Sequence, residues 1–390
     1  MGRKYRFQAI VFVLVAFMLG CNEFMVVGVL SDIAKEFQIS DAIVGYLVTI
    51  FATVYAVSTP FITILTNRFS RYKTLMTLMV IFLIGNTLSG FATNYWWLLL
   101  SRIIAAFTAG AIISLIMTFA SVIAPIEKRA GLVSWIFAGF SIASVFGVPI
   151  GTAISTTYNW HVAFFLVSII SVITLLLLGW LLPRHVQQTN GTIKDQLVLL
   201  TDRRIYVGIA LVLFSAATMY AYYTYIRPLL TTGLGFTTVS LNWLLFLIGL
   251  MSIISNRMSG FLAEHHGLHL LPRFYVADIC LLLLLPWGLT SKLTGLGILL
   301  ILSLIVTILN SPLQIHFLTV AERDYPQAIV LASSLNSIFF NFGISLGSAT
   351  ASGLLATVGL RYISLGAAAY AVIALGLSLA LNRANRIPSR

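Results

Sequence analysis

Twelve long apolar runs limit what this chain can fold into more than any other feature of its sequence. A helix of about 20 residues crosses the ~30 Å hydrocarbon core of a bilayer, and each run is close to that length or longer. Only helices and closed barrels satisfy backbone polar groups in lipid, and these runs lack the strict alternation of barrel strands. We therefore predict an all-α polytopic membrane protein with twelve transmembrane helices. The predicted spans are 7–30, 42–65, 74–92, 96–120, 131–154, 161–183, 205–229, 239–263, 272–289, 295–319, 327–355 and 361–382.

The longest polar connection, from Pro183 to Arg204, divides these spans into six and six. The predicted organisation is an N-terminal six-helix bundle over 1–183, a central loop over 184–204 and a C-terminal six-helix bundle over 205–390. Every other connection is short, which leaves no room for a soluble domain between the spans. We therefore expect the protein to act inside the membrane.

The net charge of +12 is explained by topology. Only 9% of the residues are charged, whereas a soluble domain has about 25%. Most of the 23 Lys and Arg residues fall in loops on the same side of the membrane as the N-terminus. Loops rich in Lys and Arg normally lie on the cytoplasmic side. We therefore expect both termini in the cytoplasm, the lipid bilayer around most of the chain, and no nucleic-acid partner. Cys21 and Cys280 lie in apolar runs and indicate neither a disulfide nor a metal site.

Glu23 is the one acid inside the first apolar run, and it lies near the middle of the span if the helix continues to Ala34. A charged group there costs roughly 2.5–3.5 kcal/mol on insertion scales and normally marks a proton, ion or substrate path. The alternative is a protonated or hydrogen-bonded acid that only holds helices together. Arg102, inside the fourth span, likewise needs an acid, water or carbonyl groups around it.

Two local patterns concern helix packing and the connections. In the fifth span, small residues at Gly147 and Gly151 let helices approach closely, and Pro149 between them loosens one helical turn. The connection after the second span carries Asn67, Arg68 and Arg71. Its counterpart in the second half carries Gly260 and Glu264, and the matched position of the two connections indicates an internal repeat.

Together with the arrangement of six and six spans, these patterns resemble the major facilitator superfamily. Three further signatures resemble the sugar-efflux and arabinose-efflux branch of its drug:proton antiporters: Glu23-Phe24 in the first span, Tyr225-Ile226-Arg227-Pro228 after the seventh, and Asn341 to Gly347 in the eleventh. The connection motif departs from the family pattern at Thr63, Asn67 and Ser70, where two glycines and an acid are usual. This departure puts the charge relay of that connection in doubt, and its basic residues could serve topology alone.

The resemblance implies alternating access by two six-helix bundles to a site near the midplane. It implies proton-coupled export of a small organic solute, such as a sugar or an amphiphilic drug, with Arg102 influencing the protonation of Glu23. It also implies a monomer in the bacterial cytoplasmic membrane, without a cofactor. The polar and aromatic candidates for binding the solute are Asn22, Tyr46, Tyr220, Asn310, Gln314, Asn336 and Asn341.

Other interpretations remain open. The protein could be an uncoupled facilitator of the same solutes. It could also be an intramembrane serine hydrolase or a sensor with the same fold. The stretch Gly343-Ile-Ser345-Leu-Gly347 matches the G-x-S-x-G pattern of serine hydrolases, with His316 as partner, although close helix packing explains the same glycines. Asp278 is a second titratable candidate, for which we favour a structural role. We expect Tyr225 to belong to the aromatic belt at the membrane interface.

Overall fold

The computed structural model describes residues 3–66, 69–184, 198–264, 267–306, 308 and 310–385. Side-chain caps fix the start of two helices in the first half of the chain. Asn94 accepts a hydrogen bond from the backbone N of Trp97 at 2.9 Å, and Asn159 accepts one from the backbone N of Val162 at 3.1 Å. The helices of this half are α1 (Arg3–Phe37), α2 (Asp41–Thr66), α3 (Arg71–Gly90), α4 (Tyr95–Ile123), α5 (Ile126–Thr157) and α6 (Trp160–Leu181).

The second half follows the same plan with more interruptions. A three-residue helix, Ile226–Pro228, and a π-helix, Leu229–Gly233, lie between its first two long helices. Single 3-10 turns occur at Val198–Thr201, Pro326–Ala328 and Leu360–Tyr362. The long helices are α7 (Arg203–Tyr223), α8 (Thr238–Glu264), α9 (Gly267–Gly288), α10 (Lys292–Val306), α11 (Asn310–Asp324), α12 (Ile329–Thr357) and α13 (Ile363–Ala384).

The predicted all-α membrane fold is confirmed. Eleven of the described helices are long and apolar enough to cross a bilayer, and the described ranges contain no strand. The tenth predicted span, 295–319, corresponds to two helices, α10 and α11, rather than to one. Pro312 explains why a new helix begins there, because proline lacks the N–H that a helix interior uses but is tolerated in a first turn.

The seventh predicted span, 205–229, is also interrupted. Helix α7 ends at Tyr223, before the short helix Ile226–Pro228 begins. Pro228 cannot donate a backbone hydrogen bond to the carbonyl of Thr224, so a regular helix loses one bond at this point. The single continuous helix expected from hydropathy is therefore wrong here.

The chain forms two compact units, Met1–Gln188 and Thr189–Arg390. In the first unit, α1 packs along α5 at unusually short range. A Cβ atom on Gly139 would lie 2.5 Å from the carbonyl oxygen of Val13, and one on Gly151 would lie 2.8 Å from that of Met25. Small residues at these positions let the two backbones touch, which fixes the position of α1.

In the second unit, α7 packs along α12 in the same manner. A Cβ on Gly347 would lie 2.5 Å from the carbonyl oxygen of Ala217, and Gly343 lies against Leu213 and Ala216. In both units, therefore, the first and fifth long spans pair closely, as an internal repeat predicts. Ser345 lies within the continuous helix α12, so the strand-to-helix elbow of a G-x-S-x-G hydrolase is not formed at this segment.

An ion-pair cluster fastens the start of α7 to the end of α11. Arg204 Nη2 lies 2.6 Å from Asp202 Oδ2 and 2.5 Å from Asp324 Oδ2. Asp202 also caps α7 by accepting a hydrogen bond from the backbone N of Arg204 at 2.8 Å. Burial by itself raises the pKa of Asp202, but the hydrogen bonds and charge of Arg204 outweigh it, so the pKa lies below its ordinary value.

The contact between α1 and α5 predicts opposite effects of two glycine substitutions in α5. Gly151→Ala should lower the melting temperature of the detergent-solubilised protein, because overpacking typically costs about 1–3 kcal/mol. Gly131 has no heavy atom within 4 Å of its Cβ position, so Gly131→Ala should be neutral or stabilising by about 1 kcal/mol. Equal melting temperatures for the two variants would contradict this account of the packing.

The lowered pKa of Asp202 predicts how stability changes in acid. Below about pH 3.9, the ordinary pKa of aspartate, the unfolded chain binds a proton that the folded protein resists, so wild-type stability should fall through this window. Asp202→Asn retains a capping oxygen but has no charge to titrate, and should cost about 1–3 kcal/mol at neutral pH. Thermal unfolding measured across pH should therefore show curves that converge on acidification, and parallel curves would refute the assignment.

Candidate functional site

Glu23 lies in α1, in the part of the helix that α5 covers. Its side chain is 6% exposed. Within the part of the chain that the structure describes, neither carboxylate oxygen has a hydrogen-bond partner. A carboxyl in this setting has nothing fixed to compensate a negative charge at contact distance, so its charge state depends on what approaches it.

Arg102 lies in α4 and is fully buried, with 0% of its surface exposed. Its Nη1 donates hydrogen bonds of 2.9 Å to both the backbone oxygen and the side-chain Oδ1 of Asn22. Its guanidinium carbon lies 4.0 Å from the centre of the Phe51 ring, in a cation–π contact. Arg102 is therefore held by the residue that precedes Glu23, and its charge acts on Glu23 without a hydrogen bond between them.

An amide relay extends from Arg102 to α6. Asn22 Nδ2 donates a hydrogen bond to Asn86 Oδ1 in α3. Asn86 Nδ2 then donates to the carbonyl oxygen of Phe164 and to Ser168 Oγ, both at 2.8 Å. Four helices, α1, α3, α4 and α6, thus meet at one chain of hydrogen bonds, in which each polar group limits the movement of the next.

Asn86 is the member of this relay that the sequence analysis missed. It is fully buried and belongs to an otherwise apolar stretch of α3. A lone amide in a transmembrane run usually bonds to another helix, and that signal was present in the sequence. Asn22, predicted to bind a solute, is instead bonded on both sides of its amide to Arg102 and Asn86.

The structure distributes the other predicted solute-binding residues over both units. Tyr46 is 38% exposed and lies on α2. Tyr220 is buried, with its ring centre 5.9 Å from that of Tyr223 and 6.3 Å from that of Phe340. Gln314 in α11 is half-buried.

Two asparagines on α12 present amide oxygens to the interior of the second unit. Asn341 donates a hydrogen bond to the carbonyl oxygen of Ser337 at 3.1 Å. Among the described residues, the Oδ1 atoms of Asn336 and Asn341 have no hydrogen-bond partner. These buried amide oxygens therefore have unused acceptor capacity in the described part of the chain, whereas the amide of Asn22 is occupied.

Several predicted positions fall outside the part that is described. Asn67 and Arg68 are not described, nor are the side chains of Asn310 and Glu264. Arg71 is the first residue of α3, Gly260 lies within α8, and Pro149 lies within the uninterrupted helix α5.

The expectation for Tyr225 was wrong. The side chain is 0% exposed, and its hydroxyl lies 2.8 Å from Ser352 Oγ. The break after α7 turns this residue toward α12 rather than toward the membrane interface. Tyrosines of the aromatic belt and tyrosines of the protein interior occur near the ends of similar apolar runs, so only the path of the backbone distinguishes them.

Apolar spanning helices, repeated helix pairs and ionisable groups buried in the spans define a polytopic membrane protein with polar groups in its interior. The chain matches the Major Facilitator Superfamily over residues 12–348. It therefore belongs to that superfamily and is a multi-pass membrane transporter.

Two relatives in sequence cover most of the chain. It is 32% identical over 334 residues to the uncharacterized MFS-type transporter YtbD of Bacillus subtilis (strain 168), covering 85% of this chain and 84% of that protein. It is 29% identical over 385 residues to the inner membrane transport protein YdhP of Escherichia coli O157:H7, covering 99% and 98%.

Solved structures share the fold at lower identity. A bacterial homologue of the human lysosomal transporter Spinster, inward-facing and unoccupied, matches with a TM-score of 0.81 at 16% identity, over 98% of each chain. A D-xylose-proton symporter matches with a TM-score of 0.74 at 15% identity, over 96% of this chain and 97% of that one.

The two hydrogen bonds from Arg102 to Asn22 predict that lysine cannot replace this arginine. Both bonds come from Nη1, the end of a side chain that lysine does not match in length, and the ammonium of lysine is a point charge without a planar face. Arg102→Lys should therefore weaken the bonds to Asn22 and lose the contact with the Phe51 ring. We expect a loss of about 1–3 kcal/mol, measured as a lower melting temperature. Arg273, exposed on α9, serves as the control, and Arg273→Lys should leave the melting temperature unchanged. A stable Arg102→Lys protein would show that the bonds to Asn22 contribute little.

Proposed function

We propose that this transporter exports a small organic solute in exchange for protons, with Glu23 as the proton-binding group. The observation that carries the proposal is the buried carboxyl of Glu23, which has no hydrogen-bond partner among the described residues. Arg102 donates a hydrogen bond to the carbonyl oxygen of Asn22, the residue directly before Glu23. Ionisable groups inside spans normally serve ion or proton movement.

The amide relay gives Arg102 a defined part in this scheme. Asn22 and Asn86 hold the guanidinium in place, so a shift of α1 relative to α4 changes the electrostatic balance at Glu23. In the cycle, Glu23 takes up a proton from outside. Solute then binds from the cytoplasm or the inner leaflet, and its binding favours release of that proton inward, in alternating access.

The sequence resemblance supports the direction of transport and the class of solute. The Gly147 to Gly151 pattern resembles antiporters that export drugs and solutes. Amide oxygens at Asn336 and Asn341 and the buried ring of Tyr220 suit a neutral sugar or an amphiphilic drug. The distribution of Lys and Arg supports both termini in the cytoplasm of a bacterial cell, and we propose that a monomer suffices.

One observation favours a second candidate, an uncoupled facilitator of the same solutes. Arg102 donates to the backbone carbonyl oxygen of Asn22, which is how a purely structural arginine is satisfied within a span. In a facilitator, Glu23 remains permanently protonated, and the arginine only joins α4 to α1.

Proton flux in liposomes separates the two functions. Purified protein is reconstituted with an internal pH dye, a proton gradient is imposed, and arabinose, other neutral sugars and tetraphenylphosphonium are added one at a time. We expect a solute-dependent proton flux that Glu23→Gln abolishes while solute exchange survives, because glutamine mimics the protonated acid and cannot release a proton.

The matched control is Glu36→Gln, the same substitution at the end of α1, where the side chain is 45% exposed. This variant should retain proton flux. Solute movement without proton flux, unchanged by Glu23→Gln, would overturn the antiport proposal and establish the facilitator.

A further inference from the structure

Asp278 is a second buried acid, and it lies in the unit that does not contain Glu23. It occupies the middle of α9 and is 3% exposed. Its Oδ1 has no hydrogen-bond partner among the residues that the structure describes. A purely structural carboxyl usually has fixed donors on its oxygens, and Oδ1 has none among the described residues.

Two buried tyrosines lie in the neighbourhood of Asp278. Tyr275 lies one helical turn earlier on α9, and its hydroxyl is hydrogen-bonded to Ser215 of α7. Tyr222 lies in the last turn of α7 and is fully buried. Both hydroxyls can donate a hydrogen bond to an ionised carboxylate or accept one from a protonated carboxyl.

No cation of the described chain pairs with Asp278. Helix α9 packs against α8, α10, α11 and α13. The charged or titratable groups of these helices have other partners or are exposed. Lys292 lies over the ring of Phe236, His316 is hydrogen-bonded to the carbonyl oxygen of Arg204, Tyr370 is hydrogen-bonded to Thr350, and Asp324 forms an ion pair with Arg204. The exposed groups are Arg257, Glu322, Arg323 and Arg383. A lone carboxyl without a counter-ion in an apolar interior is neutral when it binds a proton and costly when it does not.

Backbone hydrogen bonding is weakened on both sides of Asp278 and at the end of α7. Pro272 and Pro286 flank it within α9, and each removes one backbone hydrogen bond from the helix. Tyr222 is the penultimate residue of α7, next to the break, and the short helix Ile226–Pro228 and the π-helix Leu229–Gly233 follow that break. Interrupted helices of this kind are common at ion-binding sites of transporters, and π-helical turns are frequent at functional sites.

We propose that Asp278 binds and releases a second proton in each transport cycle. The inference rests on the proposed proton coupling through Glu23 and adds a proton-binding group in the other unit. The second proton moves only in cycles in which Glu23 exchanges the first, so Glu23→Gln still abolishes the whole proton flux. The step is a simple equilibrium in which the carboxylate takes a proton from water on one side and returns it to water on the other. Tyr222 and Tyr275 supply the hydroxyls that stabilise the carboxylate while it is ionised.

The number of protons exchanged per solute tests this proposal. The measurement finds the solute gradient that stops net flux in liposomes with the membrane potential clamped at zero. A tenfold proton gradient balances a solute gradient of about 100-fold when two protons exchange, and of about tenfold when one does. We expect the first value for wild type and the second for Asp278→Asn, which cannot ionise. Glu322→Gln, an exposed carboxyl-to-amide change on α11, should behave as wild type.

An unchanged balance point in Asp278→Asn, with proton flux intact in wild type, would overturn this inference and leave the proposed function standing. Absence of proton flux in wild type would instead overturn the proposed function.

Infrared spectroscopy of wild type covers the case in which Asp278→Asn fails to fold. With ¹³C-labelled aspartate, the C=O stretch of a protonated aspartic acid is distinguished from that of Glu23. We expect a band that is present in acid, lost on alkaline titration and absent from Asp278→Glu, which keeps a carboxyl at this position but not the labelled one. A band that persists at every pH would show a permanently protonated acid and would also overturn the inference.

Discussion

The hydrogen bonds between Arg102 and Asn22 are the interaction on which the N-terminal unit depends. A guanidinium inside a bilayer needs hydrogen-bond acceptors, and Arg102 donates to two oxygen atoms of the same residue, Asn22. That choice ties α4 to the residue preceding Glu23 and leaves the carboxyl itself without a fixed partner. A salt bridge from Arg102 to Glu23 would have neutralised both groups. Bonding to Asn22 satisfies part of the arginine and keeps the acid available.

Close contact between backbones makes this geometry possible. Gly139 and Gly151 bring α5 against the carbonyl groups of α1, and Gly343 and Gly347 bring α12 against α7. In lipid, helices gain little from hydrophobic burial against one another, so van der Waals contact and interhelical hydrogen bonds decide their positions. The bond of 3.1 Å from Thr152 Oγ1 to the carbonyl oxygen of Gly28 shows both effects at the same point.

The two units solve the problem of a buried acid in different ways. Glu23 has a fixed cation nearby, held by the amide of Asn22, whereas Asp278 lies near two buried tyrosines, on a continuous helix that contains two prolines. The repeat that pairs α1 with α5 and α7 with α12 therefore concerns the framework, while the polar chemistry differs between the halves. Symmetry of fold does not impose symmetry of function, because side chains at matched positions change independently.

Hydropathy by itself determined that the chain is helical and spans a membrane many times, since no other backbone arrangement of such apolar runs is satisfied in lipid. It also placed Glu23 and Arg102 within spans. It failed at Pro228 and Pro312, where a hydrogen bond lost at one residue interrupts a run that is apolar throughout. Only the tertiary structure decided that Arg102 bonds Asn22 rather than Glu23, that Asn86 completes the relay, and that Tyr225 is interior. These outcomes depend on how the helices are rotated about their axes and on which side chains come within about 3 Å of one another. Arg102 and Asn22 are 80 positions apart in sequence, and nothing in the local sequence of either residue indicates that they form a hydrogen bond.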